Sequence, residues 1–269
     1  MASEKIEPYF SIGSNNYPCF KLNGRNAAIF RDIFQYLSKV NDKITFFCNS
    51  EGLTCKSSDK TNASLLSIRL NLEFFFKYEF TSSLLINLPW NAVWNFLSKP
   101  LILGINKSTQ KSLIVKFELE NITFEVNRQI KKSFKNEVTE NTTDDNYPKT
   151  HSIFSTDMEL HNISQFCKYL KFLNSESDIV FFNCENQNFT IETVNKSEKC
   201  EIDITHLVKI HNNESPIKTW YSIEYLFCFL KCFEKTFDKL TLSLADKKPL
   251  LITLTTNGCL IEFNLAPRL

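Results

Sequence analysis

The chain contains an internal repeat, in which long segments recur about 130 residues apart, and this repeat restricts the possible folds more than any other feature. The segment DKITFFCNSEGLT at residues 42–54 is matched by SDIVFFNCENQNFT at residues 177–190. Likewise, LPWNAVWNFLSKPLILGIN at residues 88–106 is matched by TWYSIEYLFCFLKCFEKTFDKLTLSL at residues 219–244. Each copy begins with a helical pattern and a hairpin, and continues with more strands, a second helix and another hairpin. A duplication of this size predicts one fold built from two similar halves.

Four segments have the period of a helix with one buried face. Apolar residues recur three or four positions apart over residues 27–40, and again in a short segment that opens at Pro89, a favourable first-turn residue. The same pattern covers residues 158–173 and 222–236. The other apolar segments have the composition of strands, and the Asn257-Gly258 pair predicts a tight hairpin. We therefore predict an α+β fold of two similar domains, each with antiparallel sheets and two helices.

Composition divides the chain into four stretches. Residues 1–18 are polar and predict a flexible lead-in, and residues 19–126 form the N-terminal domain. Residues 127–150 are rich in Asn, Thr, Lys and Glu, and because no apolar period survives there, they predict an inter-domain connector. Residues 151–269 form the C-terminal domain. With 269 residues, of which 43% are apolar, the chain can bury a core in each domain.

No pattern in the sequence indicates catalysis, a metal or a cofactor. The glycine-rich phosphate-binding motifs and the G-x-S-x-G motif are absent, and the four histidines do not have metal-ligand spacing. We therefore expect neither an enzyme nor a bound cofactor or metal. The nine cysteines include no CxxC pair, which favours free thiols in a reducing compartment. The N-terminus has no apolar core of signal-peptide type. The sequence also lacks a run of 18 apolar residues, the length that would predict a membrane span.

Basic residues lie on the predicted exposed faces of the helices. If the four helices share one side of a sheet, these charges gather on one surface that suits DNA phosphates without sequence preference. Asp32, Glu224 and Glu234 lie on or beside the same faces and weaken this interpretation, and the basic residues could simply make the helix faces soluble. The predicted DNA-facing residues are Arg31, Lys39, Lys99, Lys168, Lys171, Lys231 and Lys235.

The order of these elements resembles the sliding-clamp superfamily, which includes PCNA and the checkpoint clamp. The ending KLTLSLADKKPLLITLTTNGCLIEFNLAPRL at residues 239–269 is similar to the last hairpins of the clamps, which end in Leu-Ala-Pro and a basic residue. The segment EGLTCKSSDKTNASLLSIRL at residues 51–70 is similar to their turn and Ser-x-Asp loop. The segments CFKLNGRNAAIF, LSKVNDKI and especially EFFFKYEF resemble the Rad-nine subunit of the heterotrimeric nine-one-one clamp. Ser58 and Asn264 occupy positions where PCNA-type clamps have an apolar and an aromatic residue for partner peptides, which disfavours PCNA-like peptide capture.

This resemblance implies a nuclear, ring-shaped clamp subunit that encircles double-stranded DNA in the DNA damage checkpoint and in repair. The sheets would form the outer wall, and two helices per domain would line the inner face. The implied partners are two other clamp subunits, a clamp loader, and repair and checkpoint proteins, with no membrane.

The resemblance also implies subunit contacts through open sheet edges and a pocket for partner peptides. We predict one edge at Leu113, Val115 and Phe117, and the other edge at Cys200, Ile202 and Ile204. The implied peptide pocket contains Ser58, Leu265, Ala266 and Pro267.

Other functions remain open at the level of sequence. The first is a PCNA-like homotrimeric polymerase processivity factor, and the second is an α+β interaction module that does not bind nucleic acid. An enzyme has the least support, because no acid–base or metal grouping is present.

Overall fold

The structure is a computed structural model. It describes residues 19–40, 44–79, 84–88, 90–99, 112–117, 121–126, 130–135, 137–140, 154–195, 198–213 and 216–268. The predicted lead-in, residues 1–18, lies outside the described residues, as do residues 141–153 of the connector region.

The two halves of the chain have the same order of elements, which confirms the predicted α+β fold with two similar halves. The first half contains β1 (Cys19–Asn23), α1 (Gly24–Val40), β2 (Ile44–Asn49), β3 (Gly52–Ser58), β4 (Ser64–Asn71), a 3₁₀ turn (Leu72–Phe74), β5 (Lys77–Glu79), β6 (Leu84–Leu88), α2 (Trp90–Leu97), β7 (Ser112–Phe117), β8 (Asn121–Val126) and β9 (Ile130–Lys135). After β10 (Glu137–Glu140), the second half contains β11 (Thr156–His161), α3 (Ile163–Leu173), β12 (Ile179–Glu185), β13 (Asn188–Asn195), β14 (Glu198–Asp203), a 3₁₀ turn (Thr205–Leu207), β15 (Val208–Asn213), β16 (Ile217–Ser222), α4 (Ile223–Phe233), β17 (Lys239–Leu244), β18 (Leu250–Thr256) and β19 (Cys259–Leu265).

The described strands form three antiparallel sheets. A five-stranded sheet has the order β5-β1-β7-β8-β9, and a four-stranded sheet has the order β14-β13-β12-β16. A ten-stranded sheet, β10-β6-β2-β3-β4-β19-β18-β17-β11-β15, runs through both halves because β4 pairs with β19. In this internal junction, Ile261 lies opposite Ile68 and Phe263 lies opposite Leu66. The two halves therefore share one continuous sheet.

The four helices of the described chain form one layer in the order α2-α1-α4-α3, since α1 contacts both α2 and α4 and α3 contacts α4. Aromatic rings connect this layer to the internal junction. Phe229 of α4 stacks on Phe263 with the ring centroids 4.4 Å apart, and Tyr36 of α1 meets both rings edge-on. Burying such large apolar side chains is the main source of stability at this junction.

The predicted hairpin at Asn257-Gly258 joins β18 to β19. Gly258 has a left-handed φ of 72°, and a Cβ atom there would lie 2.3 Å from the backbone nitrogen of Phe74. The turn therefore requires glycine for its conformation and for its close approach to the first half. Asn71 also donates a backbone hydrogen bond of 2.7 Å to the Gly258 carbonyl.

Two boundaries differ from the sequence predictions. Residues 130–135, which were predicted as connector, form β9 and pair along their length with β8. The three lysines of IKKSFK hide its apolar alternation. The helix predicted from residue 158 begins only at Ile163, because Met158 and Leu160 alternate toward the core as strand residues. Asn162, with a φ of 60°, caps this helix by accepting a hydrogen bond from the Gln165 backbone.

Candidate nucleic-acid interface and subunit edges

The helix layer presents most of the predicted basic residues on its surface. The side chains of Lys39, Lys99, Lys168, Lys171, Lys231 and Lys235 are all exposed. The helices bury their opposite faces in the common core, and Lys99 and Lys235 lie just beyond the C-terminal ends of α2 and α4. Arg25, which the sequence analysis did not select, is also exposed, and its Nη2 donates to the Thr236 carbonyl at 2.9 Å. Arg25 precedes the apolar period of α1, which explains why helix periodicity did not identify it.

Arg31 does not lie on this surface, so its prediction as a DNA-facing residue was wrong. Its side chain is 6% exposed and pairs with Asp32, itself 1% exposed, through Nη2–Oδ1 and Nε–Oδ1 distances of 2.5 and 3.0 Å. Burial raises the pKa of Asp32, and the neighbouring Arg31 charge opposes this shift. The pair is covered because α1 lies between α2 and α4. Helix periodicity indicates which side chains face away from the core, but it does not show which neighbouring element covers them.

Helix α3 has the least neutralised basic face. Lys168 and Phe172 lie one turn apart, opposite the buried side chains of Phe166 and Leu170, and Phe172 is 56% exposed. Among the described residues, no carboxylate pairs with Lys168 or Lys171. Their ammonium groups are therefore available to an anionic partner.

Helix α4 is different because its charges are partly neutralised. Lys231 and Glu234 form an ion pair with an Nζ–Oε1 distance of 2.5 Å, and the hydrogen bond that Lys231 donates to Glu234 raises the pKa of Lys231. On the side of α4 that faces α1, the Nζ of Lys39 lies 3.7 Å from the Sγ of Cys232. The four-helix surface is thus basic overall, but its charge is uneven.

The residue types needed for other sites are not grouped in the described part of the chain. There, no three His, Cys, Asp or Glu side chains come close enough together to hold a metal ion. The longest helix, α1, has 17 residues, and none of the described helices has both the length and the apolar character needed to cross a membrane.

The predicted edge at Leu113, Val115 and Phe117 was wrong. These residues belong to β7, which is hydrogen-bonded to β1 on one side and to β8 on the other. Leu113 and Val115 are fully buried. The end strands of this sheet, among those described, are β5 and the lysine-rich β9.

The second predicted edge lies in part on a terminal strand, and its role as a subunit contact stays a prediction. Cys200 and Ile202 lie on β14, the last strand of the four-stranded sheet in the described chain, and both are half-buried. Ile204 was wrong as an edge residue, because it follows β14 and is fully buried. Its backbone nitrogen donates to the Phe189 carbonyl at 3.0 Å. Among the described strands, β9 and β14 are therefore each a terminal strand of a sheet, as are β5, β10, β15 and β16.

The residues of the predicted peptide pocket lie near the internal junction. Ser58 and Asn264 each lie opposite Leu65, on the two strands that flank it, and Leu251 lies opposite Asn264. All four residues are half-buried on the sheet face away from the core. The sequence analysis missed Leu65 and Leu251, although strand alternation places them on the face of Asn264.

Leu265 was wrong as a pocket residue, because it is 1% exposed and faces the core. Its neighbours Ala266 and Pro267 are exposed and half-buried, respectively. Ala266 donates its backbone hydrogen to the Ala63 carbonyl at 2.8 Å, which holds the C-terminal segment against the loop between β3 and β4. The candidate peptide surface therefore consists of Ser58, Leu65, Leu251, Asn264, Ala266 and Pro267.

Asp59 fixes that loop and connects it to the second half. Its Oδ1 accepts hydrogen bonds from the Ser64 backbone at 2.6 Å and from the Ser64 hydroxyl at 3.1 Å. Its Oδ2 accepts from the Thr61 backbone at 2.9 Å, from the Thr61 hydroxyl, and from the Tyr225 hydroxyl of α4 at 3.1 Å. Burial alone would raise the pKa of Asp59, but these hydrogen bonds outweigh it and lower the pKa to about 2.

Comparison with known proteins agrees with this architecture. A search of curated proteins by sequence found no match. Among solved structures, the chain is similar to the PCNA2-PCNA3 complex from Sulfolobus tokodaii, with 16% identity, a TM-score of 0.76, and coverage of 93% of this chain and 99% of the other. It is also similar to PCNA from Entamoeba histolytica, with 16% identity, a TM-score of 0.79, and coverage of 95% and 100%. Residues 19–146 match the family model described as proliferating cell nuclear antigen, N-terminal domain. The chain therefore has the clamp fold of these PCNA structures, and its residues 19–146 are similar to the N-terminal domain of the PCNA family.

Proposed function

We propose that this chain is one subunit of a ring-shaped sliding clamp that encircles double-stranded DNA. The observation that carries the proposal is that the edge strands β9 and β14 are equivalent, in the repeat, to the two strands that pair at the internal junction. In the repeat, β14 holds the position of β4, and β9 holds the position of β19. Since β4 and β19 pair with each other, β14 and β9 can pair in the same way with neighbouring subunits. Such a head-to-tail contact generates a ring when its rotation closes.

The helix layer gives the ring its DNA-facing surface in this proposal. The exposed lysines of α3, together with Lys39, Lys99 and Lys235, would meet backbone phosphates without reading the base sequence. Each phosphate contact contributes a salt slope of only about −0.9. A subunit with few contacts therefore binds open DNA weakly, and the closed ring retains DNA through topology.

We further propose that the subunit is Rad-nine-like, acts in a nuclear heterotrimeric nine-one-one clamp, and serves the DNA damage checkpoint and repair. The EFFFKYEF segment and the polar residues Ser58 and Asn264 on the candidate peptide surface support this assignment. Its partners would be two other clamp subunits, a clamp loader, and repair and checkpoint proteins. The second candidate is a PCNA-like homotrimeric processivity factor, which is supported by the similarity of the chain to solved PCNA structures.

The DNA-facing assignment can be tested by reversing charge on the helix layer. In the triple variant Lys168→Glu, Lys171→Glu and Lys235→Glu, we expect retention on nicked circular DNA to fall by at least roughly tenfold, because phosphate attraction becomes repulsion. Lys231 is left unchanged because a glutamate there would repel Glu234. The matched control reverses three exposed lysines outside the helices, Lys209, Lys247 and Lys248. Retention should be measured with the complete ring, and equal retention by both folded variants would contradict the proposal.

A further inference from the structure

The two halves differ at one repeat position that a neighbouring subunit would cover. Phe96 and Phe229 are each the seventh residue of their helices, α2 and α4. In the second half, Phe263 of β19 stacks on Phe229. In the first half, Lys132 of β9 lies over Phe96, with its Nζ 5.9 Å from the ring centroid. A lysine therefore occupies the position at which the internal junction has a phenylalanine.

Lys132 belongs to the core-facing side of β9, although it is a charged residue. It lies directly opposite Phe124, which is fully buried, and its Nζ is 4.9 Å from the ring centroid of Phe134. Within the described residues, no carboxylate pairs with it. The two aromatic faces provide cation–π attraction but no counter-charge. An inward-facing charge on an edge strand is a known way to prevent unwanted strand pairing.

The internal junction supplies the register in which β9 would meet another subunit. Cys55 and Ile191 are each the fourth residue after a two-residue hairpin loop, and they pair with Ile68 and Ile202, respectively. Ile202 thus corresponds to Ile68, and Cys200 corresponds to Leu66, the partner of Phe263. With β14 of an identical chain as the neighbour, the core-facing pairs would be Ile130–Ile202, Lys132–Cys200 and Phe134–Glu198.

Only the first of these three pairs resembles the internal junction. The second would cover the Lys132 ammonium with a neutral thiol, and the third would place the Glu198 carboxylate against a ring. Burying a charge without a partner is strongly unfavourable, and removing one member of a buried pair is among the costliest changes in proteins. A second copy of this chain is therefore a poor neighbour at both edges.

We infer that β9 pairs with a strand of a different clamp-fold subunit, and that this strand carries an acidic side chain on its core-facing side opposite Lys132. By the same reasoning, the subunit that pairs with β14 presents a basic side chain opposite Glu198. The inference rests on the proposed function, and it names the chemistry of the partner edges. The two inward-facing charges act as specificity determinants that exclude self-assembly.

The first test places the missing acid in the chain itself. The native chain and Cys200→Gln should both run as the 31.3 kDa monomer at micromolar concentration in native mass spectrometry. Cys200→Glu supplies a carboxylate opposite Lys132, and we expect its self-association to be stronger than that of the native chain by at least roughly tenfold. Equal association by Cys200→Glu and Cys200→Gln would overturn the inference.

The second test removes the inward-facing charges. The double variant Lys132→Leu with Glu198→Leu should self-associate roughly 100-fold more tightly than the native chain. Its matched control, Lys131→Leu with Glu201→Leu, changes the outward-facing pair of the same two strands and should remain monomeric. A native chain that already forms rings, or a folded Lys132/Glu198 variant that stays monomeric, would overturn the inference. Neither measurement involves DNA. A failure of this inference is therefore distinguishable from a failure of the proposed function, which would appear as a loss of DNA retention by the complete ring.

Discussion

The internal junction and the two open edge strands, β9 and β14, use equivalent strand positions, but the edge strands carry charged side chains there. At the junction, the core-facing side contains Phe263, Leu66 and an isoleucine pair, all of them buried. At the open edges, Lys132 takes the position of Phe263, and Glu198 takes the position of Ser64, a buried residue that is polar but uncharged. A permanent contact tolerates an apolar surface because it is never exposed, whereas an edge that is open before assembly needs charge to stay soluble and selective. The same repeated strand positions therefore form a permanent contact within the chain and, in the proposed ring, a reversible contact between subunits.

Replacing Phe263 by lysine would give the internal junction the chemistry of the open edge, and we expect this change to have the largest effect. Phe263 is fully buried against Phe229 and Tyr36. Truncating a buried phenylalanine costs about 3–5 kcal/mol, and an unpaired charge adds to this cost. The free energy of unfolding from urea denaturation should fall by at least about 4 kcal/mol.

The reciprocal variant, Lys132→Phe, is the control for that experiment. It restores the residue type of the second half at an exposed position of the isolated chain, so its unfolding free energy should change by less than about 1 kcal/mol. If the Phe263→Lys chain were as stable as the native one, the internal junction would not be the permanent contact described here.

The hydrogen bonds of Asp59 form a second connection across the internal junction, and their loss should have an intermediate effect. The folded-state pKa of Asp59, about 2, lies below the unfolded value of about 3.9. Its stabilisation of about 2 kcal/mol is therefore fully present above pH 4 and is lost as the pH falls toward 2. Asp59→Asn should remove this contribution at neutral pH and flatten the dependence of stability on pH between 4 and 2.

Urea denaturation at a series of pH values measures this effect. Tyr225→Phe is the matched control, because it removes the α4 hydroxyl, which contacts Asp59 Oδ2 and Thr61 Oγ1 at 3.1 Å each, and leaves the loop's own bonds to Asp59 intact. We expect it to cost about 1 kcal/mol. An unchanged pH dependence in Asp59→Asn would show that Asp59 does not hold the junction.

The fold was predictable because its signals are local, whereas much of the candidate site depends on contacts between distant elements. Helical and strand periods, together with the Asn257-Gly258 turn, were sufficient for the duplicated α+β architecture. Arg31 has the sequence pattern of an exposed helix residue, yet the helices beside α1 cover it. Similarly, LIVKF has the sequence of a strand, but its apolar residues do not show whether the strand is hydrogen-bonded to one neighbouring strand or to two.

Some of the site could nevertheless have been found by a stricter use of alternation. Leu265 follows Asn264, so the two side chains point to opposite faces of β19, and only one of them can reach a peptide. In β9, the spacing of Ile130, Lys132 and Phe134 places a lysine on the core side. That pattern is visible in the sequence, but its meaning depends on the sheet order, which the sequence does not contain.

Lys168 on α3 and Lys231 on α4 allow a comparison of a free and a paired lysine within the helix layer, with the smallest expected effect. Lys231 donates to Glu234, whereas Lys168 has no carboxylate partner within the described chain. We expect Lys168→Gln to reduce the salt slope of binding to short duplex DNA by about 0.9, because one phosphate contact is lost. Lys231→Gln should leave the slope nearly unchanged, but it should lower stability, because the Glu234 side chain is only 6% exposed and loses its counter-charge. Glu234→Gln is the informative control, since it releases Lys231 and should increase the slope. Titrations at several salt concentrations measure all three variants, and equal losses for Lys168→Gln and Lys231→Gln would show that the ion pair does not withhold Lys231 from the phosphates.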